Sequence, residues 1–260
     1  TGYDVKDIQS HPAQEKKGFL GLFKNKKPII AMLHLKGDSR EEVFNRFKNE
    51  LNTYVRSGVD AVIVETYYGD YDNMVDALEY LSKIDLGIPY GINCLNVDHM
   101  GFYLAKKYNA SFVQVDSVVG HVKPRDEATI QAFFDVERSD YDGCLIGGVR
   151  FKYQPMLSVN SLEEDLKIAT GRCDGICVTQ DRTGQETSMA KIVEFRNYLN
   201  DFPLIVAAGV TKDNLEKSLS VCDAAIVGSY FKDNYKDEGE VCEEHVKEFM
   251  ETVRELRNHG

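Results

Sequence analysis

Short apolar runs alternate with longer amphipathic stretches along most of the chain. Eight runs of four to eight residues are nearly continuous in apolar character, as strands buried on both faces require; they are Ile29–Leu35, Ala61–Val64, Tyr90–Leu95, Phe112–Val119, Cys144–Phe151, Gly175–Thr179, Leu204–Ala208 and Ala224–Val227. Each run precedes a stretch of helical pattern, and these stretches are Glu41–Ser57, Tyr71–Ile84, Asp98–Tyr108, Glu127–Glu137, Ser161–Thr170, Ser188–Leu199, Lys212–Leu219 and Glu243–Asn258. The pattern predicts eight consecutive β–α units.

Eight β–α units within residues 28–260 predict an α/β fold, a single (β/α)8 TIM barrel. The main competitor is a doubly wound parallel sheet of about six strands. That fold would leave strand-like runs unused, and no Gly-x-Gly-x-x-Gly motif follows the first run. Since no linker rich in Pro, Gly or Ser interrupts the pattern, we expect residues 28–260 to form one barrel domain.

Residues 1–27 form an N-terminal extension of different character. Its only apolar patch is the segment 18–23, which lies between basic residues. Such a segment touches a membrane or a partner in one interpretation. In the other, which we favour, Phe19, Leu20, Leu22 and Phe23 pack over one end of the barrel.

Composition excludes several classes of protein. The 260 residues are 43% hydrophobic and 28% charged, which is ordinary for a globular protein. With 31 Lys and Arg against 42 Asp and Glu, the net charge of −11 disfavours binding to nucleic acid or to an anionic membrane, but it leaves room for a local phosphate pocket. No apolar run reaches the roughly 18 residues of a transmembrane helix, and we see no signal segment at the start. Six cysteines stand singly without a CxxC pair, so we expect free thiols and a cytoplasmic location.

Polar residues end the predicted strands at one side of the predicted barrel. In TIM barrels, catalytic residues lie at the carboxyl ends of the strands and in the loops that follow. Burying many polar groups there costs free energy unless they pair with each other or with a ligand. The strand ends therefore predict a ligand-binding mouth, and the residues concerned are His34, Glu65, Asn93, Asp116, Lys152 and Thr179.

The turns after the last two strands have small residues. Ala-Ala-Gly-Val-Thr spans residues 207–211, and Val-Gly-Ser spans residues 227–229. Small residues let backbone N–H groups approach a phosphate, and a following helix N-terminus adds partial positive charge. Glycines also serve tight turns without any ligand. We favour a phosphate site made by Gly209, Val210, Thr211, Gly228 and Ser229.

The chemistry of the mouth is expected to rest on four side chains. Lys152 is a candidate general acid, electrophile or imine-forming amine, and Glu65 and Asp116 are candidate acid/base or oxocarbenium-stabilising carboxylates. His34 is expected to position the substrate or to transfer a proton. An alternative is that Lys152 forms an ion pair with Glu65 or Asp116 that only closes the mouth. The remaining substrate-binding candidates are Asn93, Asp98, Arg150, Thr179 and Thr183.

Strand alternation places Gly148, Arg150 and Lys152 on one face of the fifth strand. We expect that face to point into the barrel, because Val149 and Phe151 on the other face suit packing against helices. In this interpretation Gly148 leaves space for a long neighbour or for the ligand.

Six ordered motifs resemble the BtpA family (BtpA/SgcQ-like), which is named for a protein needed to accumulate photosystem I. The matching stretches are Pro28–His34, Gly58–Glu65, Asn93–Asp98, Cys173–Gly184, Ala208–Asn214 and Val227–Lys232. The resemblance implies a barrel related to phosphate-binding barrels, and relatives near sugar-uptake genes suggest small-molecule metabolism. The chain departs from the family pattern at Gln114, Asp116, Gly148 and Tyr153, which predicts a divergent member with an altered ligand.

Two hypotheses for function remain open at this point. The first is an enzyme acting on a phosphorylated sugar, nucleoside or nucleotide, of lyase, isomerase or hydrolase type, with a phosphorylated small molecule as its partner. The second is a non-catalytic assembly or regulatory protein of membrane-complex biogenesis that retains the barrel. No cofactor is predicted. A divalent metal held by His34, Glu65 and Asp116 is a weaker alternative without supporting motif spacing, and a homo-oligomer is compatible with the sequence.

Overall fold

A computed structural model describes residues 18–119, 126–154 and 159–260. The eight strands are parallel and follow one another around a closed barrel in which β8 pairs with β1. The strands are β1 Ile29–His34, β2 Ala61–Glu65, β3 Tyr90–Asn93, β4 Phe112–Val115, β5 Cys144–Gly148, β6 Gly175–Val178, β7 Leu204–Val206 and β8 Ala224–Val227. The predicted TIM-barrel fold is confirmed.

One α-helix follows each strand and packs outside the barrel. The helices are α1 Arg40–Ser57, α2 Tyr71–Lys83, α3 Asp98–Tyr108, α4 Glu127–Ser139, α5 Leu162–Thr170, α6 Met189–Leu199, α7 Leu215–Leu219 and α8 Glu243–Asn258. Side chains cap several N-termini; for example, Ser161 of the α5 capping box accepts from the Glu164 N–H at 3.1 Å. Across the described residues, no helix is both long enough and apolar enough to span a bilayer.

Several predicted strands extend too far at their carboxyl ends. The run Phe112–Val119 contains a strand only to Val115, and the run Cys144–Phe151 contains one only to Gly148. The residues beyond remain buried, since Val118, Val119 and Phe151 are at most 4% exposed. Loops that fold back over the barrel therefore bury apolar residues just as strands do, and hydropathy cannot separate the two.

The core has an inner and an outer layer. Inside the barrel, alternate strand residues such as Ile30, Ile63, Ile146 and Ile205 pack on one another. The intervening residues face the helices and form the larger outer layer. This two-sided burial explains the nearly continuous apolar runs.

The segment 18–23 closes the amino-terminal end of the barrel. Phe19 lies in a short 3-10 helix, Phe19–Leu22, is fully buried in the inner layer, and packs edge-to-face against Phe112 at 5.7 Å between ring centroids. Leu22 and Phe23 are partly buried against the same layer, whereas Leu20 is 36% exposed. Packing over the barrel end thus accounts for most of this apolar patch. The rest of the predicted N-terminal extension, residues 1–17, lies outside the described ranges.

A repeated Asp–Arg pair braces the same end of the barrel. An aspartate directly before an even-numbered strand accepts a hydrogen bond from a backbone N–H at the start of the preceding strand and pairs with a helix arginine. The three sets are Asp60 with Ile29 and Arg257, Asp174 with Leu145 and Arg138, and Asp223 with Leu204 and Arg196, with aspartate-to-backbone distances of 2.8, 2.8 and 2.9 Å. These contacts tie the helices to the strands at the amino-terminal end of the barrel, the end that serves stability in TIM barrels.

Candidate active site

A cavity of about 760 Å³ opens at the carboxyl ends of the strands. Its walls come from β1 to β4, from β8 and from the loops that follow β2 to β8. Most of the residues predicted from the strand ends line it, namely Lys152, Glu65, Asp116, His34, Asn93, Thr183, Gly209, Val210, Thr211, Gly228 and Ser229.

Three predicted substrate-binding residues lie outside the cavity lining. Thr179 is fully buried, and its Oγ1 accepts a hydrogen bond from the backbone N–H of Lys152 at 2.7 Å. Arg150 turns outward, where its Nε lies 3.8 Å from a carboxylate oxygen of Asp165 on α5. Asp98 is the first residue of α3 and half-buried, and burial together with nearby Asp116 raises its pKa to about 6.

The chain after β5 shows why the expected inward face holds for Gly148 and not for Arg150, and why Lys152 reaches the cavity by another route. The strand ends at Gly148, and both Arg150 and Tyr153 have positive φ angles, 51° and 61°. Phe151 instead turns back into the barrel, and a Cβ on Gly148 would lie 2.4 Å from its ring. Gly148 therefore does make space for a neighbour, as expected, but Lys152 reaches the cavity from a turn and not from a strand.

A row of polar side chains ends the first three strands. His34, Glu65 and Asn93 are register partners on β1, β2 and β3, and they are 8%, 8% and 3% exposed. We call these three residues the polar row. All three line the cavity, so the register of neighbouring strands brings them side by side.

Glu65 is the carboxyl group of the polar row, and its pKa is strongly shifted. Burial raises its pKa to about 7, nearby Asp116 and Asp237 act in the same direction, and Lys152 opposes them. No hydrogen bond to the described residues stabilises its carboxylate. A carboxyl group with this pKa exchanges a proton near neutral pH, as general acid/base chemistry requires.

His34 is held as a neutral imidazole. Burial, with Lys232 as the next cause, lowers its pKa to about 3. Its ring stacks on Tyr67 at 4.9 Å between centroids, and its Nδ1 is buried with no hydrogen-bond partner in the part of the chain that the structure describes. At neutral pH the neutral ring is suited to positioning a ligand, and it carries no proton that it could release as an imidazolium.

Lys152 is the only lysine or arginine among the described lining residues. Within the described ranges no carboxylate lies within the 4.0 Å of an ion pair from its ammonium, so the predicted pairing with Glu65 or Asp116 is not formed. Its Nζ lies 5.7 Å from the centroid of the Phe151 ring. The ammonium is therefore available to an anionic or carbonyl-bearing ligand.

The segment between β8 and α8 adds lining residues that the sequence interpretation missed. Lys232 and Val241 form an antiparallel bridge, while Lys36 and Arg46 donate hydrogen bonds to the backbone carbonyls of Glu238 and Gly239 at 2.8 and 2.9 Å. This segment contributes Tyr235 and Asp237 to the cavity. Burial, with nearby Asp237 as the next cause, raises the pKa of the Tyr67 hydroxyl. The missed lining residues with polar side chains include Tyr67, Gln114, Tyr153, Tyr230, Tyr235 and Asp237. Of these residues, only those that directly follow a strand could be suspected from the sequence. Residues 235–237 are distant from any strand end in the sequence, and only the fold brings them to the mouth.

The turns after β7 and β8 present backbone donors. Gly209 has φ +67°, and its carbonyl accepts a hydrogen bond from Asn214 Nδ2 at 2.8 Å. The N–H of Thr211 is already bonded to Asn214 Oδ1 at 2.9 Å. Among the hydrogen bonds of the described residues, none has the backbone N–H of Gly209, Val210, Gly228 or Ser229 as donor. These four groups can bind an anion without losing an existing bond.

A metal centre finds no support in this arrangement. Over the residues that the structure describes, no three His, Cys, Asp or Glu side chains form a group that could hold a metal ion. His34, Glu65 and Asp116 are all described, so the weaker metal alternative does not correspond to such a group. The described site consists of carboxyl groups, carboxamides, one imidazole, one ammonium, hydroxyls and backbone N–H groups.

The closed barrel with a polar cavity at the strand carboxyl ends defines a TIM-barrel protein. Solved structures agree on the fold. Thiamine phosphate pyrophosphorylase from Pyrococcus furiosus matches with a TM-score of 0.59 at 13% identity, over 88% of this chain and 96% of that one. Phosphoribosyl anthranilate isomerase from Thermus thermophilus matches with a TM-score of 0.60 at 12% identity, over 88% of this chain and all of that one.

The chain belongs to the BtpA family, whose model matches residues 25–255. An uncharacterized protein of Pyrococcus furiosus is 28% identical over 255 residues, which cover 86% of this chain and 93% of that protein. The sgc region protein SgcQ of Escherichia coli is 22% identical over 264 residues, covering 89% and 96%. The resemblance stated from the six motifs is confirmed, and the low identities agree with a divergent member.

Proposed function

We propose that the protein is an enzyme that binds a phosphorylated sugar, nucleoside or nucleotide at the mouth of the barrel and acts on it by acid/base chemistry. The observation that carries the proposal is one cavity that combines two turns of unengaged backbone N–H groups with a buried carboxyl group whose pKa is about 7. The first feature suits a phosphate, and the second suits proton transfer.

In this proposal the phosphate binds the N–H groups of Gly209, Val210, Gly228 and Ser229. The names of two structural neighbours contain phosphorylated compounds, thiamine phosphate and phosphoribosyl anthranilate, which supports this ligand class for the fold. Acidic side chains such as Asp213 also line the cavity, so the lining has no excess of positive charge that would attract an anion. In this proposal the backbone N–H groups therefore recognise the phosphate.

The proposed chemistry lies on the other side of the cavity. Glu65 donates or accepts the proton, and Asp116 raises the proton affinity of Glu65. Lys152, with no ion-pair partner among the described residues, stabilises negative charge that develops on the substrate. His34 positions the substrate as a neutral ring. Lyase, isomerase and hydrolase reactions all use such groups.

The assembly-protein alternative has less support. The apolar segment that motivated it is largely used to close the barrel, with Phe19 fully buried. For location, the six free cysteines favour the reducing cytoplasm.

The test is ligand binding to the full chain. Crystals soaked in phosphate should show density at 209–211 and 228–229, and thermal unfolding should shift with sugar phosphates or nucleoside monophosphates. A ligand at one hundred times its dissociation constant adds about 2.7 kcal/mol to the free energy of unfolding. The proposal is wrong if phosphate binds only surface lysines and no phosphorylated compound shifts the unfolding temperature.

A further inference from the structure

Two neighbouring side chains of the polar row have no partner within the described part of the protein. Glu65 and Asn93 are opposite each other in the β2–β3 register and are at least nine-tenths buried. The Asn93 carbonyl accepts the Thr66 N–H at 3.2 Å, but its carboxamide makes no hydrogen bond to the described residues. Buried polar groups that lack partners cost free energy, so a ligand or water must satisfy them.

The chemistry of the pair restricts what that ligand group can be. Neighbouring strands lie about 4.8 Å apart, so a carboxyl and a carboxamide face the cavity side by side. The carboxylate accepts hydrogen bonds, and the carboxamide both donates and accepts. Asp116 and Asp237, which raise the pKa of Glu65, would repel a second anion. An apolar group would leave both side chains unsatisfied.

Hydroxyl groups on neighbouring carbon atoms meet these demands. One hydroxyl donates to Glu65, and the next accepts from Asn93 while it donates to the carboxylate. Both bonds form at once only when the hydroxyls are adjacent, because the two side chains are adjacent. Nearby Tyr67, stacked on His34, adds a ring face against which the carbon skeleton can pack.

The topology connects this pair to the phosphate turns. In a closed barrel of eight strands in sequence order, β3 lies across from β7 and β2 lies across from β6. A ligand whose phosphate lies at the turns after β7 and β8 therefore extends across the cavity toward Glu65 and Asn93.

We propose that Glu65 and Asn93 form a diol subsite, which selects phosphorylated ligands with two hydroxyl groups on adjacent carbons. The inference rests on the proposed function, because the phosphate fixes the end of the ligand opposite the diol.

The experiment compares three probes by titration calorimetry: inorganic phosphate, ribose 5-phosphate and 2-deoxyribose 5-phosphate. The ring form of the deoxy sugar has no two hydroxyls on neighbouring carbons. We expect the wild-type protein to bind ribose 5-phosphate at least about tenfold more tightly than the deoxy compound, since the missing hydroxyl leaves buried groups unpaired.

Variants assign that preference to the pair. Glu65→Leu and Asn93→Leu should each reduce the preference to about threefold or less while affinity for inorganic phosphate changes less than about twofold. Glu79→Leu, on the outer surface of α2, is the matched control and should retain the wild-type preference. If a leucine variant does not fold, the wild-type comparison still decides.

The outcomes separate the two proposals. Equal binding of both sugar phosphates by the wild-type protein overturns the diol subsite and leaves the phosphate site intact. Loss of inorganic phosphate binding in the leucine variants also overturns it, because the pair would then act at the wrong end of the ligand. If none of the three probes binds, the proposed function fails, and the subsite fails with it.

Discussion

The two halves of the barrel mouth present different parts of the chain to the cavity. On β1 to β4, side chains line the cavity, and His34, Glu65 and Asn93 are buried polar groups in register. On β7 and β8, small residues such as Ala207 and Gly228 line the cavity, and backbone N–H groups remain available. The side-chain half can change its ligand by substitution, whereas the backbone half depends on turn conformation.

The backbone half should be the more sensitive to changes at glycine. Gly209→Val should lower the free energy of unfolding by about 4 kcal/mol or prevent folding, since a side chain there has φ +67° and its Cβ would lie 2.1 Å from the Gln185 carbonyl oxygen. Urea denaturation measures the difference.

Gly228→Ala is the matched control for that change. A Cβ at 228 meets no atom closer than 3.5 Å, and its φ is not positive. We expect stability within about 1 kcal/mol of wild type, together with weaker phosphate binding. Equal destabilisation by both substitutions would contradict the distinction between the two turns.

The side-chain half should carry a pH dependence. Glu65 has a pKa near 7 in the folded protein against 4.5 ordinarily, so the folded state holds this proton to higher pH than the unfolded chain. The free energy of unfolding should therefore fall by about 3 kcal/mol between pH 4.5 and 7 from this group. Glu65→Gln should remove that loss and gain stability over wild type at pH 8 but not at pH 4.

Other groups contribute to the total pH profile, and so the difference between wild type and variant is the quantity to measure. His34 acts in the opposite sense, because its lowered pKa contributes a loss of stability as pH falls from 6.5 toward 3. Asp98, with a pKa of about 6, acts like Glu65. A wild-type minus Glu65→Gln difference that is constant with pH would show that Glu65 titrates normally.

Lys152 connects the two halves and should matter for ligand more than for folding. Lys152→Met should change the free energy of unfolding by less than about 1 kcal/mol, because no carboxylate pairs with it among the described residues, while affinity for phosphorylated ligands falls about thirtyfold. Lys232→Met is the contrast, since that buried ammonium lies 4.0 Å from Glu50 and its loss should cost about 3 kcal/mol. Wild-type ligand affinity in Lys152→Met would remove Lys152 from the site.

The smallest expected effect concerns Tyr67. Tyr67→Phe keeps the stacking on His34 and removes only the hydroxyl group, which interacts with the nearby Asp237 carboxylate. We expect a loss of about 1 kcal/mol or less in stability, because Asp237 can still be solvated. Denaturation of Tyr67→Phe beside Tyr153→Phe, whose hydroxyl instead accepts from the Thr183 N–H at 3.0 Å, separates the two contacts.

Periodicity alone was sufficient to predict the barrel and most of its mouth. Strands buried on both faces require continuous apolar runs, and polar residues at the carboxyl ends of such runs lie near the mouth, so Glu65 and Asn93 could be identified without coordinates. The turns after β7 and β8, where we propose that phosphate binds, were likewise singled out from local sequence alone.

Tertiary structure decided whatever depended on distant residues or on where the strands stop. Arg150 was expected in the cavity and lies outside it, because β5 ends at Gly148 and Phe151 folds back into the space that Gly148 leaves. Asp237 reaches the mouth only because Lys36 and Arg46 hold its segment there. The raised pKa of Glu65 likewise arises from burial and from carboxylates on other elements, which no local pattern encodes.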